Sequence, residues 1–200
     1  VSWPMLAPTC PIPVADDSAF ESAAIVLRTS HTFNAPVGQV WAALDSDHAW
    51  SWLPFGCGVR YDEPDRCAGM EREMGTVSAP WRFLWIQRER FWRYDPPHRI
   101  TYCAVAGTWP LLKLWAEDYV LTGTPDGCVL EWTVAITPRF VSWMPLRWLQ
   151  PLLRAVFTWG LRPGLRSLIE LLDGPGRTPG NRASGPAPGG SSPLAQHPAK

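Results

Sequence analysis

From residue 22 onward the chain switches between two hydrophobic periods, and each switch marks an element. "SAAIVLRTSHTF" (22–33) is β-branched and partly alternating, which predicts a strand. "NAPVGQVWAALDS" (34–46) offers Asn34 as a cap, Pro36 in a first turn, and Val37, Val40, Trp41 and Leu44 at helical spacing, so a helix is predicted. A second short helical turn over "DHAWSWLP" (47–54) ends at its proline. Runs at 55–62, 69–78, 82–94, 98–107 and 112–123 read as strands. "CVLEWTVAI" (128–136) alternates cleanly, with Leu130, Trp132, Val134 and Ile136 on one side and Glu131, Thr133 and Ala135 on the other, the pattern of a half-buried antiparallel strand. In "RERFWRYDPPHRITY" (88–102) the strand character stops at Pro96 and Pro97, which have no N–H to give a ladder, so two strands joined by a turn are expected.

After about residue 145 the period lengthens. Arg147, Gln150, Arg154, Thr158, Arg162, Arg166 and Glu170 fall three or four apart among Trp, Leu, Val, Phe and Ile, predicting a long amphipathic helix to about Leu172, kinked near Gly160 and Pro163. Successive strands on short turns followed by one such helix predict an α+β fold. Its curved antiparallel sheet wraps around the C-terminal helix, with two short helices after the first strand. Residues 22–173 suffice for one domain. Residues 1–21 carry several prolines and no basic n-region, so a flexible leader is expected rather than a secretory signal. From Gly174 to Lys200, 12 of 27 residues are Gly or Pro, a composition too poor in apolar surface to order, so a disordered tail is expected.

Composition narrows the functional classes. Eighteen basic and eighteen acidic residues leave no net charge, so no bulk field draws the chain to nucleic acid. Thirteen tryptophans are the outlier, enough to build a core or to line an aromatic ligand pocket. Cys10, Cys57, Cys67, Cys103 and Cys128 are odd in number and form no CxxC pair, which favours reduced thiols and a cytoplasmic location. His31, His48 and His98 are scattered, so no metal is expected. Neither G-x-x-x-x-G-K nor G-x-G-x-x-G occurs, no cofactor is expected, and Ser51, Ser78 and Ser142 lack a G-x-S-x-G setting.

The segments "APVGQVWAALDS" with "SWLP", then "ERFWRYDPPHRITY", "DGCVLEWTVAITP" and "LRPGLRSLIELL" occur in an order that resembles the START-like helix-grip superfamily (SRPBCC). The polyketide cyclase/dehydrase and lipid-transport branch is the most similar. The resemblance implies an incomplete barrel gripping the last helix around a deep hydrophobic cavity. Its relatives bind lipids, sterols or polyketides, and a minority catalyse cyclisation or dehydration. Fold alone does not choose among these.

Parity selects the site residues. On one side of 83–92 lie Phe83, Trp85, Gln87, Glu89 and Phe91; on the other lie Arg88 and Arg90, whose guanidinium groups cannot shed their charge if buried. The first set is therefore expected inward, with Glu89 as the cavity acid and candidate catalytic residue, free to pair with Arg72 of the neighbouring strand. Trp85, Tyr102, Tyr119 and Trp132 are expected to line the pocket with it. The two tyrosines orient a ligand, or act as acids if their pKa values are lowered. Glu117 and Asp118 point to opposite faces, and Glu117 shares the parity of Trp115 and Tyr119.

Three functions follow in order: binding of a hydrophobic small molecule, cyclisation or dehydration using Glu89, and a peripheral membrane or partner-binding module using the Trp/Arg-rich terminal helix, with weak membrane contact near Trp143, Met144 and Trp148. "GTWPLLKLW" (107–115) is expected as a second apolar lip.

Overall fold

The computed structural model describes residues 8–52, 56–76 and 85–139, together with 151, 152, 155, 159, 167–169 and 172. The elements run β1 (Cys10–Pro11), α1 (Ala19–Ser22), β2 (Ile25–Phe33), α2 (Val37–Leu44), β3 (Gly56–Tyr61), β4 (Glu71–Thr76), β5 (Trp85–Asp95), β6 (Arg99–Gly107), β7 (Leu112–Thr124) and β8 (Gly127–Pro138). One antiparallel sheet has the order β2-β8-β7-β6-β5-β4-β3, with β1 paired to β6. Each strand beyond β3 pairs with its chain neighbour, as short turns require. The crossover is β2, which joins β8 after the chain has passed through α2.

The inner face holds the main core. Leu27, Phe33, Met74, Phe91, Ile100, Tyr102, Leu121, Leu130 and Val134 meet Val40, Trp41 and Leu44 of α2, and Leu168 and Leu172 from the C-terminal segment. The described residues of that segment are helical, and Gln39 Nε2 donates to the Leu172 carbonyl at 2.9 Å. The long helix with its kink near Gly160 and Pro163, and the tail after Asp173, lie otherwise outside the described residues.

Two expectations change. Of the second helical turn expected at 47–54, residues 47–52 instead form a pair of tight turns, with Ala49 N donating to Ser46 O and Ser51 N to His48 O, and 53–54 lie outside the described residues. Trp50 interrupts the helical run by taking a left-handed backbone, φ 68°, rare for a bulky residue. The second change is in the leader, where residues 10–22 pack instead of hanging free. Cys10 and Pro11 pair with Gly107 and Ala106, and Ile12 N donates to Val105 O. Ala19 and Ala23 then settle on the outer face against Cys103, Ala116 and Ala135. Those small side chains let α1 approach the strands closely. Asp17 fastens the strap, accepting from Trp92 Nε1 at 3.1 Å and from Arg93 at 2.7 Å.

At the start of β3, over "GCG" (56–58), the register with β4 slips between Gly56 and Val59. Gly58 there has φ +91°, and a Cβ would sit 2.9 Å from the Asp47 carbonyl, so glycine is required twice over.

Candidate functional site

Alternation in β4, β5, β6, β7 and β8 decides which charges enter the concave face. Trp85, Gln87, Glu89 and Phe91 point inward from β5, while Arg88 and Arg90 point outward. Outside, Glu73 of β4 bridges Arg60 at 2.5 Å and Arg88 at 2.9 Å, and Glu71 meets Arg90 at 3.7 Å. These solvent-facing ladders stitch β3, β4 and β5 by cross-strand charge pairing. A polar outer groove of about 410 Å³, bounded by Arg28, Ser30, Asp118 and Glu131, suits water better than an apolar ligand.

Inside, β4 and β5 place Arg72 opposite Glu89. Both are fully buried, and Arg72 Nε donates to Glu89 Oε2 at 2.5 Å. The second carboxylate oxygen accepts from Gln87 Nε2 at 2.5 Å, and Gln87 Oε1 accepts from Trp85 Nε1 at 3.0 Å. Arg72 Nη1 donates to Tyr61 Oη at 3.0 Å, and Tyr61 reaches Asp45 at 3.4 Å. Rings of Phe91 and Tyr102 lie under the guanidinium, with its central carbon 4.8 and 4.6 Å from their centroids. Such faces attract a cation. The one nitrogen left over, Arg72 Nη2, is buried with no partner.

Two strands along, Glu117 is buried just as deeply, but among neutral groups. Its Oε1 accepts from Trp115 Nε1 at 2.7 Å, and its Oε2 from Tyr119 Oη at 2.9 Å and Trp132 Nε1 at 2.8 Å. Burial pushes this carboxyl up to about 7, with the Glu89 charge adding to the rise and the three donors opposing it. Tyr119 Oη lies 3.1 Å from Tyr102 Oη, so the carboxyl and the two phenols form one chain. Burial and then Glu117 raise both phenols well above their ordinary range, the opposite of the lowering a tyrosine general acid needs. They remain protonated and serve as hydrogen-bond donors.

An unbroken aromatic row crosses the concave face: Trp52, Trp50, Trp132, Tyr119, Tyr102, Phe91 and Tyr61, each ring 5.2–6.3 Å from the next. Centroid spacings of this size are those of favourable aromatic pairs. Trp50 and Trp52 come from the turns after α2 and close over Trp132. Asp45 at the root of those turns is held by Arg66 and by Tyr94 Oη at 2.8 Å, so the loop is latched to β5.

All five residues expected to line the pocket therefore share one face. Tyr119 and Trp132 meet at Glu117, Tyr102 joins them through Tyr119, and Trp85 with Glu89 forms the neighbouring group. Glu117 itself was visible only as a parity, because its two indole donors come from Trp115 on its own strand and Trp132 on the next. Trp50 and Trp52 gave no signal beyond composition. Of the lip at 107–115, Trp109 and Leu111 are half-exposed. Trp143, Met144 and Trp148 lie outside the described residues.

A curved antiparallel sheet with α2 against its concave side, and a polar cluster sunk in an aromatic lining, are consistent with a START-like helix-grip fold. Residues 24–173 match the model of the family described as polyketide cyclase / dehydrase and lipid transport, and the chain belongs to that family. Solved structures agree on the fold. Protein CV1439 from Chromobacterium violaceum is 20% identical with a TM-score of 0.58, over 74% of this chain and 97% of that one. A START superfamily protein from Mycobacterium smegmatis is 9% identical with a TM-score of 0.57, over 74% and 97%. StfQ, a di-domain ARO/CYC from the steffimycin biosynthetic pathway, is 17% identical with a TM-score of 0.57, over 78% of this chain and 54% of StfQ. No protein of curated function matches the sequence. Among the described residues no helix is long and apolar enough to cross a membrane.

Proposed function

We propose that the protein binds one hydrophobic small molecule of lipid, polyketide or sterol-like type on the concave face, against Trp85, Tyr102, Tyr119 and Trp132, with Glu89 in its paired state behind them. The supporting observation is the aromatic row with a few polar groups converging at its centre, the usual composition of a small-molecule site. Native mass spectrometry of protein purified from its source organism is expected to show a co-purifying small molecule. A melting point that ignores a panel of lipids and polyphenols, in protein that is reproducibly empty, contradicts the reading.

Cyclisation or dehydration is the second reading, and Glu117 favours it. Its carboxyl is poised near 7 and touches a phenol, as proton transfer in the neutral range demands. Glu89, the carboxylate that parity selects, is tied to Arg72 and Gln87 through both oxygens, which makes it a holder of Arg72 more than a base. With a cyclisation substrate in hand, Glu117→Gln is expected to lower kcat by about 10²-fold or more. Unchanged turnover in that variant removes the catalytic reading and leaves binding.

A further inference from the structure

The charges on the concave face define which head group a ligand carries, given the proposal that the ligand lies there. Among the described residues, the carboxyl, guanidinium and imidazole groups that face inward near the centre or along β2 are Arg72, Glu89, Glu117 and His31; the phenols of Tyr61, Tyr102 and Tyr119 beside them have raised pKa values and are neutral. Arg72 is neutralised by Glu89 at 2.5 Å. His31 is half-buried on β2, and burial lowers its pKa, so it brings no positive charge at neutral pH. Glu117 has neutral donors only. The described face therefore holds no cation without a counter-charge and one carboxyl without a cation. Three buried nitrogens on it have nothing to bond, Trp52 Nε1, His31 Nε2 and Arg72 Nη2. Arg72 Nη2 is the one at the centre, on a side chain 1% exposed and stacked on Tyr102 and Phe91.

We propose that this site selects a neutral ligand bearing an acceptor oxygen, a ketone or hydroxyl that takes the Arg72 Nη2 hydrogen bond, and rejects the carboxylate of the same shape. Two effects act together. A buried donor left unmade is unfavourable, so an acceptor oxygen gains more here than it would at a satisfied site. An added carboxylate would find Arg72 already neutralised by Glu89 and would meet the uncompensated Glu117 across a low-dielectric interior, where like charges repel and the desolvation of a new anion has no free cation to offset it. Free fatty-acid-type ligands are thereby disfavoured, while alcohols, phenols and ketones on the same apolar body are accepted.

The test uses three ligands that share one ring system: 2-acetylnaphthalene, the near-isosteric anion 2-naphthoate, and the cation 2-(aminomethyl)naphthalene. Each is titrated calorimetrically into the full chain at about pH 8, where simple carboxylates are ionised. The ketone is expected to bind at least about tenfold more tightly than the naphthoate, and the amine to fall between them. Glu117→Gln is expected to narrow the ketone-to-naphthoate ratio by about fivefold, chiefly by improving the anion. A naphthoate that binds as well as the ketone overturns the proposal. So does an amine rejected as strongly as the naphthoate, which would mean that desolvation alone discriminates; that arm needs no variant and so does not depend on Glu117→Gln folding. A folded Glu117→Gln protein with an unchanged ratio also overturns it. If none of the three ligands binds, and the lipid panel above fails as well, the binding reading itself falls, and this inference falls with it.

Discussion

Glu89 and Glu117 lie two strands apart on one face, both with no exposed surface, yet the sheet treats them in opposite ways. Glu89 is compensated by a full positive charge at 2.5 Å, itself sandwiched on aromatic rings. Glu117 is compensated only by dipoles, two indoles and a phenol. The first arrangement holds the carboxyl group against a cation through a fixed hydrogen bond. The second leaves the carboxyl free to exchange its proton near neutral pH, and so makes it the group whose state a ligand or a reaction can change. Burial alone, then, does not mark a functional carboxyl; the kind of partner does.

The largest effect is expected from removing the cation on the Glu89 side. Arg72→Met strands Glu89 without a partner in the core and is expected to destabilise by about 3–5 kcal/mol, whereas the double variant with Glu89→Leu recovers most of that loss. Chemical denaturation of the four proteins of this cycle measures it, and a double variant no better than Arg72→Met refutes the charge pairing. Next comes Gly107→Ala. Its Cβ would fall 2.5 Å from the Trp85 ring, so Trp85 must move and its bond to Gln87 loosens, for about 1–3 kcal/mol. That variant should leave the titration of Glu117 unaltered.

The Glu117 side is read out by pH. Its carboxyl holds a proton more tightly in the fold, at about 7, than at its ordinary value of 4.5. The stabilisation linked to that proton is complete below pH 4.5 and is lost as pH rises through 7. Melting curves from pH 5 to 9 are expected to fall up to about pH 7 and level off above it, a fall that Glu117→Gln flattens. Equal slopes in both proteins would mean that Glu117 does not titrate there. The smallest effect belongs to the outer ladder. Arg60, half-exposed against Glu73, should cost less than about 1 kcal/mol on change to Ala, and less still at high salt.

How far the sequence carried depends on which interactions are local. Alternation gave the faces of β8 and of β5 as far as Phe91, where the register shifts, and the argument that two guanidinium groups cannot be buried correctly turned Arg88 and Arg90 outward and Glu89 inward. The Arg72–Glu89 pair followed from neighbouring strands. Of Glu117's donors, Trp115 and Tyr119 share its parity, but Trp132 did not follow, because it meets Glu117 only through the β7–β8 register, which sets Val134 opposite Glu117 and leaves Trp132 diagonal to it. The strap of residues 10–22 was hidden for a different reason. Its contacts are alanines at Ala19, Ala23, Ala116 and Ala135, too small to raise a hydrophobic signal, though their smallness is what admits the strap. The turns at 47–52 read as helix because helical spacing says nothing about the left-handed backbone at Trp50.

The central claim, that ligand occupies the concave face beside Glu117, is tested most directly by the indole N–H resonances of protein labelled with ¹⁵N-tryptophan. Trp115, Trp132 and Trp85 donate on the inner face, while Trp92 donates to Asp17 on the outer face and serves as an internal control. Titration with 2-acetylnaphthalene is expected to shift the Trp115, Trp132 and Trp85 signals in one saturable transition and leave Trp92 in place. A saturable shift at Trp92 with the three inner indoles unmoved would place the ligand on the wrong side of the sheet and contradict the account.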